Sequence, residues 1–186
     1  MRGWASLLVL APALLACSAG DDPCVPLSAS GASWCLLPPA SAPAFSVLSQ
    51  IELEVPTRSE TLLAQVENDT QTLRAALLTP LGQRLALVSL RAERIERQAQ
   101  SDAARPDARV LLVLVQLLRW PEEALRAQAQ AQGLDFRAER NTRHLFDAAG
   151  RLLASAHCEQ AQCQLGVPSL EMRLKLIDLP APEPTP

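Results

Sequence analysis

The chain has 186 residues, with 17 Lys and Arg against 20 Asp and Glu, and a formal net charge of −3. There is no basic stripe, which argues against nucleic acid as a partner. The composition is 48% hydrophobic, enough for one domain with a real core and too apolar for a disordered chain.

At the start, Arg2 precedes an apolar run from Trp4 to Ala16, broken only by Ser6 and Pro12. That run is too short to span a bilayer, which takes roughly 20 apolar residues. A positive end followed by a short apolar stretch is the pattern of a secretory signal peptide, expected over residues 1–16. The stretch ends Leu14-Leu15-Ala16-Cys17, which resembles the lipobox of bacterial lipoprotein precursors. The resemblance implies cleavage before Cys17 and a diacylglyceryl thioether on its sulfur. Two or more acyl chains hold a protein stably on a membrane. Ser18 follows Cys17, where Asp would retain an enterobacterial lipoprotein at the inner membrane. The implied location is the periplasmic face of the outer membrane.

Residues 18–45 are rich in Ser, Ala, Pro and Gly and read as a flexible tether. Four cysteines remain beyond Cys17: Cys24, Cys35, Cys158 and Cys163. An even number in an oxidising compartment points to disulfides, and three pairings are possible. Proximity favours Cys24 with Cys35 and Cys158 with Cys163. A metal held by His157, Cys158 and Cys163 is the alternative, but a fourth ligand is missing nearby. No metal and no cofactor is expected.

The domain is expected over residues 46–179. Ile51, Leu53 and Val55 alternate with Glu52 and Glu54 as in a strand with one face buried. Further strands are expected over 62–67, 71–78 and 83–90, with turns at Asn68-Asp69 and at Thr79-Pro80-Leu81-Gly82. Residues 91–100 are polar around Ile95 and suit an edge strand or a short helix. The period then changes. Residues 108–119 include a run, from Val110 to Leu118, that is apolar except for Gln116, which predicts a helix buried on most sides or lining a greasy cavity. Trp120-Pro121 ends it, and Pro121-Glu122-Glu123 opens a second helix that Gly133 closes. Strand signals return over 134–140, 143–147 and 152–156. A tip carrying Cys158 and Cys163 follows, and a last strand runs over 170–179. Residues 180–186 form a proline-rich tail. The fold class is α+β: a curved antiparallel sheet with helices inserted mid-chain over an apolar interior.

This layout is similar to the LolA/LolB superfamily, in which an unclosed β-barrel is capped by helices. More closely, it resembles an uncharacterised bacterial lipoprotein family of that type, often encoded beside fatty-acid-synthase-like and aryl-polyene gene clusters. Three stretches carry the resemblance: Leu77-Leu78-Thr79-Pro80-Leu81-Gly82-Gln83-Arg84-Leu85, residues 111–121 with their terminal Trp120-Pro121, and the Arg-rich strand at 140–145. The chain departs from the family in having no Tyr. The resemblance implies a carrier or acceptor of an acyl, lipid or lipoprotein ligand. Val110, Leu111, Val113, Leu114, Leu117 and Trp120 would then line its cavity. The competing expectation is a non-catalytic structural or assembly lipoprotein that binds a protein partner. In either case a monomer is expected.

Catalytic signatures are missing. There is no Gly-x-Ser-x-Gly, no P-loop and no GxGxxG. His144 and Asp147 have no convincing nucleophile beside them, and Glu122 and Glu123 read as helix-start charges. An enzyme is not expected. Arg137, Arg140 and Arg143 would contact lipid head groups or form the solvated face of a strand.

Overall fold

A computed structural model describes residues 22–99 and 107–180. The expected signal peptide, Cys17 and all but the first residue of the proline-rich tail lie outside the described residues. Ten strands pair antiparallel in one sheet: β3 (Phe45–Val55), β4 (Arg58–Asn68), β5 (Thr72–Leu78), β6 (Arg84–Arg91), β7 (Arg94–Ala99), β8 (Asp135–Glu139), β9 (Thr142–Phe146), β10 (Leu152–Glu159), β11 (Gln162–Val167) and β12 (Met172–Asp178). Their order across the sheet is β7-β6-β5-β4-β3-β12-β11-β10-β9-β8. The edges β7 and β8 do not pair with each other, so the sheet is unclosed. Between them in the chain come two helices, α1 (Ala108–Arg119) and α2 (Glu122–Ala131).

Period-two alternation explains which face is covered. Ile51 and Leu53 of β3 pair with Leu62 and Glu60 of β4, and with Leu176 and Leu174 of β12. Ser49, Ile51 and Leu53 of β3 and Met172, Leu174 and Leu176 of β12 are buried, and Glu52, Glu54, Arg173 and Lys175 lie on the opposite face. A shift of one residue would exchange the two sets, so this register is strongly specified. Turn chemistry fixes it further. Asp69 Oδ1 accepts from the backbone N–H of Gln71 and Thr72, which lets Thr70 take φ 70° between β4 and β5. Within the polar stretch read as an edge strand or a short helix, Arg94–Ala99 form the edge strand β7, with Ile95 buried.

α1 lies on the buried face. All eight residues from Val110 through Leu117 are buried, as an all-round apolar helix requires. The Asp107 side chain caps its first turn by accepting from Arg109 N–H. Burial tends to raise the Asp107 pKa, but the Arg109 side-chain and backbone hydrogen bonds outweigh it and hold the carboxyl below its ordinary value. At the other end, Arg143 donates to the carbonyls of Leu117, Leu118 and Trp120. These are groups that a helix C-terminus leaves without partners. Arg119 pairs with Asp178, which also accepts from Ser49.

Residues 24–45 depart from the expected tether. They form a hairpin of β1 (Cys24–Pro26) and β2 (Ser33–Cys35), then a 3-10 turn at Pro39–Ser41. Val25, Leu27, Trp34, Leu36 and Leu37 are buried in the same core as α1. The strap is held by Gln116, whose Oε1 accepts from Trp34 Nε1 at 3.2 Å and from Leu37 N–H at 3.0 Å. Gln116 Nε2 donates back to the Leu37 carbonyl at 2.7 Å. The Ser and Pro content suggested a solvated linker, but a few large apolar side chains, spaced without period, seat it on the domain.

Candidate functional site

A largely apolar recess lies under the N-terminal half of α1. Ile51 and Leu53 of β3, Leu62 of β4, Leu77 of β5 and Met172 and Leu174 of β12 form its floor. Ala108, Val110, Leu111 and Leu114 form its roof, and Asp107 is the one charged residue among the described residues that line it. Three of the six expected cavity residues, Val110, Leu111 and Leu114, line this slot. Val113, Leu117 and Trp120 do not line it but are buried in the packed core.

The slot is short. Its volume is about 40 Å³, in the range of one or two water molecules at roughly 30 Å³ each. An elongated cavity beneath residues 108–119 is therefore not present in this conformation. The reason is that facing rows of Ile, Leu and Met interdigitate with α1 and recover the dispersion contacts that an empty tunnel would lose.

The polar anchors of α1 are unevenly distributed. Gln116, Arg119 and the carbonyls bound by Arg143 all sit in its last turn or two. Among the described residues, the first two turns meet the sheet through apolar contact apart from a 3.8 Å ion pair between Arg97 and Asp107. An exposed pair at that distance contributes little.

The other residues singled out in the sequence have structural positions. Asp147 turns away from His144. Its Oδ1 accepts from Ala149 N–H and Arg151 N–H, and its Oδ2 takes Arg151 Nε at 2.7 Å. These contacts, led by the Arg151 backbone N–H, hold the carboxyl below its ordinary pKa. Glu122 pairs with Arg126 one turn along α2. Arg137 pairs with Asp135 and stacks over the Phe146 ring at 4.6 Å. Arg140 occupies the β8–β9 turn at φ 48°. Arg143 belongs to neither the expected head-group contact nor a solvated face, since it caps α1. Partial burial pulls its pKa down, and Glu122 acts the other way.

Cys24 with Cys35 and Cys158 with Cys163 form disulfides, each between register partners. The second removes the thiolates that a metal site with His157 would need. Gln116, the strongest single determinant of how α1 is held, was visible in the sequence as the one polar break in an apolar run.

A family model described as "Protein of unknown function (DUF3261)" matches residues 46–179. No curated protein matches the chain.

Proposed function

The chain belongs to the DUF3261 family of proteins of unknown function, and from that footing we propose that it is a LolA/LolB-like lipoprotein of the outer membrane that accepts an acyl chain under α1. The observation that carries this reading is the slot itself, an apolar recess open at the end where α1 has the fewest polar anchors. An acyl chain entering there would exchange apolar contacts for apolar contacts, so lifting the first two turns of α1 costs little beyond ordering the ligand. Cys17 would hold the domain at the membrane from which the ligand comes. Neither step calls for a catalytic group.

The test is a fluorescent fatty acid titrated into the protein lacking residues 1–17. Saturable enhancement is expected, together with its loss in Leu111→Trp, which fills the slot. If the probe shows no saturable binding, the acyl reading fails. A domain that binds a protein partner through its surface then replaces it. For the anchor, labelled palmitate should enter the full chain in a bacterial host and be lost in Cys17→Ala. Label retained by the variant would overturn the lipidation.

A further inference from the structure

On the face of the sheet away from the helices, strand twist encloses a trough of about 800 Å³. That is within the range of small-molecule sites, roughly 300–1,000 Å³. Two rows of side chains cross it. In the first, register pairs run Glu54, Arg173, Gly166, Ser155, His144 across β3, β12, β11, β10 and β9. In the second they run Glu52, Lys175, Gln164, His157.

The centre of the first row is the low point. Gly166 has no side chain, and a Cβ there would come within 3.3 Å of Ser155 Oγ. Arg173 stands one strand to one side, and His144 stands one strand beyond Ser155. At about 4.8 Å per strand, these two donors face each other across roughly 14 Å of small-residue floor. Some of the charged side chains here are paired and several are not. Lys175 meets Glu52 at 3.4 Å and His157 Nε2 meets Glu159 at 3.2 Å. Arg173, Gln164, Ser155, Glu54 and Glu171 make no side-chain hydrogen bond or ion pair among the described residues. The carboxylates Glu54 and Glu171 flank Arg173, one across the ladder and one two residues earlier on the chain, and all three line the trough. The trough thus has unengaged groups of both signs, segregated by position.

We propose that this trough binds a small zwitterion. Its phosphate or carboxylate rests over Gly166 and Ser155 between Arg173 and His144, and its ammonium meets Glu54 and Glu171. A simple anion would leave two carboxylates facing it without compensation, and a simple cation would leave Arg173 unmet. The site shares no ligand group with the slot under α1, so either can fail without the other.

The experiment follows the imidazole proton resonances of His144 and His157 in the protein lacking residues 1–17. The probes are O-phosphoethanolamine, inorganic phosphate and ethanolamine. Saturable shifts with O-phosphoethanolamine are expected, at about tenfold lower concentration than with either half-molecule. Arg173→Gln should abolish the shifts. Glu54→Gln should erase the advantage over phosphate and leave phosphate binding in place. Both side chains are exposed, so neither change threatens the fold. Equal response to phosphate and O-phosphoethanolamine overturns the zwitterion, and no saturable response to any probe overturns the site. Flotation with phosphatidylglycerol vesicles, with and without phosphatidylethanolamine, separates a lipid head group from a free ligand. Recruitment by phosphatidylethanolamine that Arg173→Gln abolishes assigns the lipid. Soluble binding without recruitment assigns the free zwitterion.

Discussion

Gln116 satisfies three buried groups with one amide: the Trp34 indole N–H, the Leu37 N–H and the Leu37 carbonyl. Gln116→Leu keeps the size and removes every bond, so all three groups lose their partners out of reach of water. At 1–3 kcal/mol each, the expected loss is about 4 kcal/mol, measured as the shift in urea unfolding. A loss below about 1 kcal/mol would mean that the strap is not held this way. Asp147 gives a pH-dependent counterpart. Its folded pKa lies below the ordinary value because the Arg151 N–H and side chain favour the carboxylate. Its stabilisation is therefore present above about pH 4 and fades as acid protonates the folded carboxyl. The stability gap between the protein and Asp147→Asn should be widest near neutrality and narrow below about pH 4. A gap that stays constant down to pH 2 would show that the effect is not the charge. The sequence exposed Gln116 as an anomaly in its helix but hid its partners. They lie 79 and 82 positions away, and no local pattern encodes contacts at that separation.

Among the elements, the helices were the most legible. The apolar run and its Trp120-Pro121 stop placed α1 where it is found, because the length of the run and the helix breakers are both local signals. β5 and β12 were equally plain from alternation, and β6 from a more continuous apolar run. β3 and β4 were seen only in part. Their outer ends carry Ser, Thr and Gln, and only pairing across the long hairpin extends them. β11 was taken for a disulfide tip, since Gly166 and Gln164 interrupt its apolar pattern. The hairpin β1–β2 was missed, because strands of three residues have no period to read. Two changes test these elements. Arg143→Met removes the donor to three carbonyls at the end of α1 and should cost about 2 kcal/mol by chemical denaturation. Replacing Cys24 and Cys35 together by Ser opens a loop of 11 residues and should cost up to about 3 kcal/mol. If the double variant unfolds at the same urea concentration as the parent, the disulfide contributes nothing to the domain's stability.

The whole molecule is a sheet whose two edge strands are bridged in the chain by helices that lie over one face. The sequence pattern supplied the class, and the unclosed outline was an expectation from the family resemblance alone. It could not supply the size of the interior, because a lined cavity and a filled core use the same residues. If the slot accepts an acyl chain, the folded state gains RT ln(1 + [L]/Kd), about 2.7 kcal/mol at a hundred times Kd. Thermal unfolding should then shift upward with fatty acid and stay unshifted in Leu111→Trp. The strap adds a mechanical consequence. Load applied at Asp22 enters β1 at Cys24, and the disulfide shunts it directly to Cys35. The Cys35 backbone is gripped by Gln128 and Gln132 of α2. Tension therefore reaches α2 first, and the stretch that holds Trp34 against Gln116 carries none of it. Once the disulfide is reduced, residues 25–34 become part of the load path, and the same pull peels Trp34 away from the helix that roofs the slot.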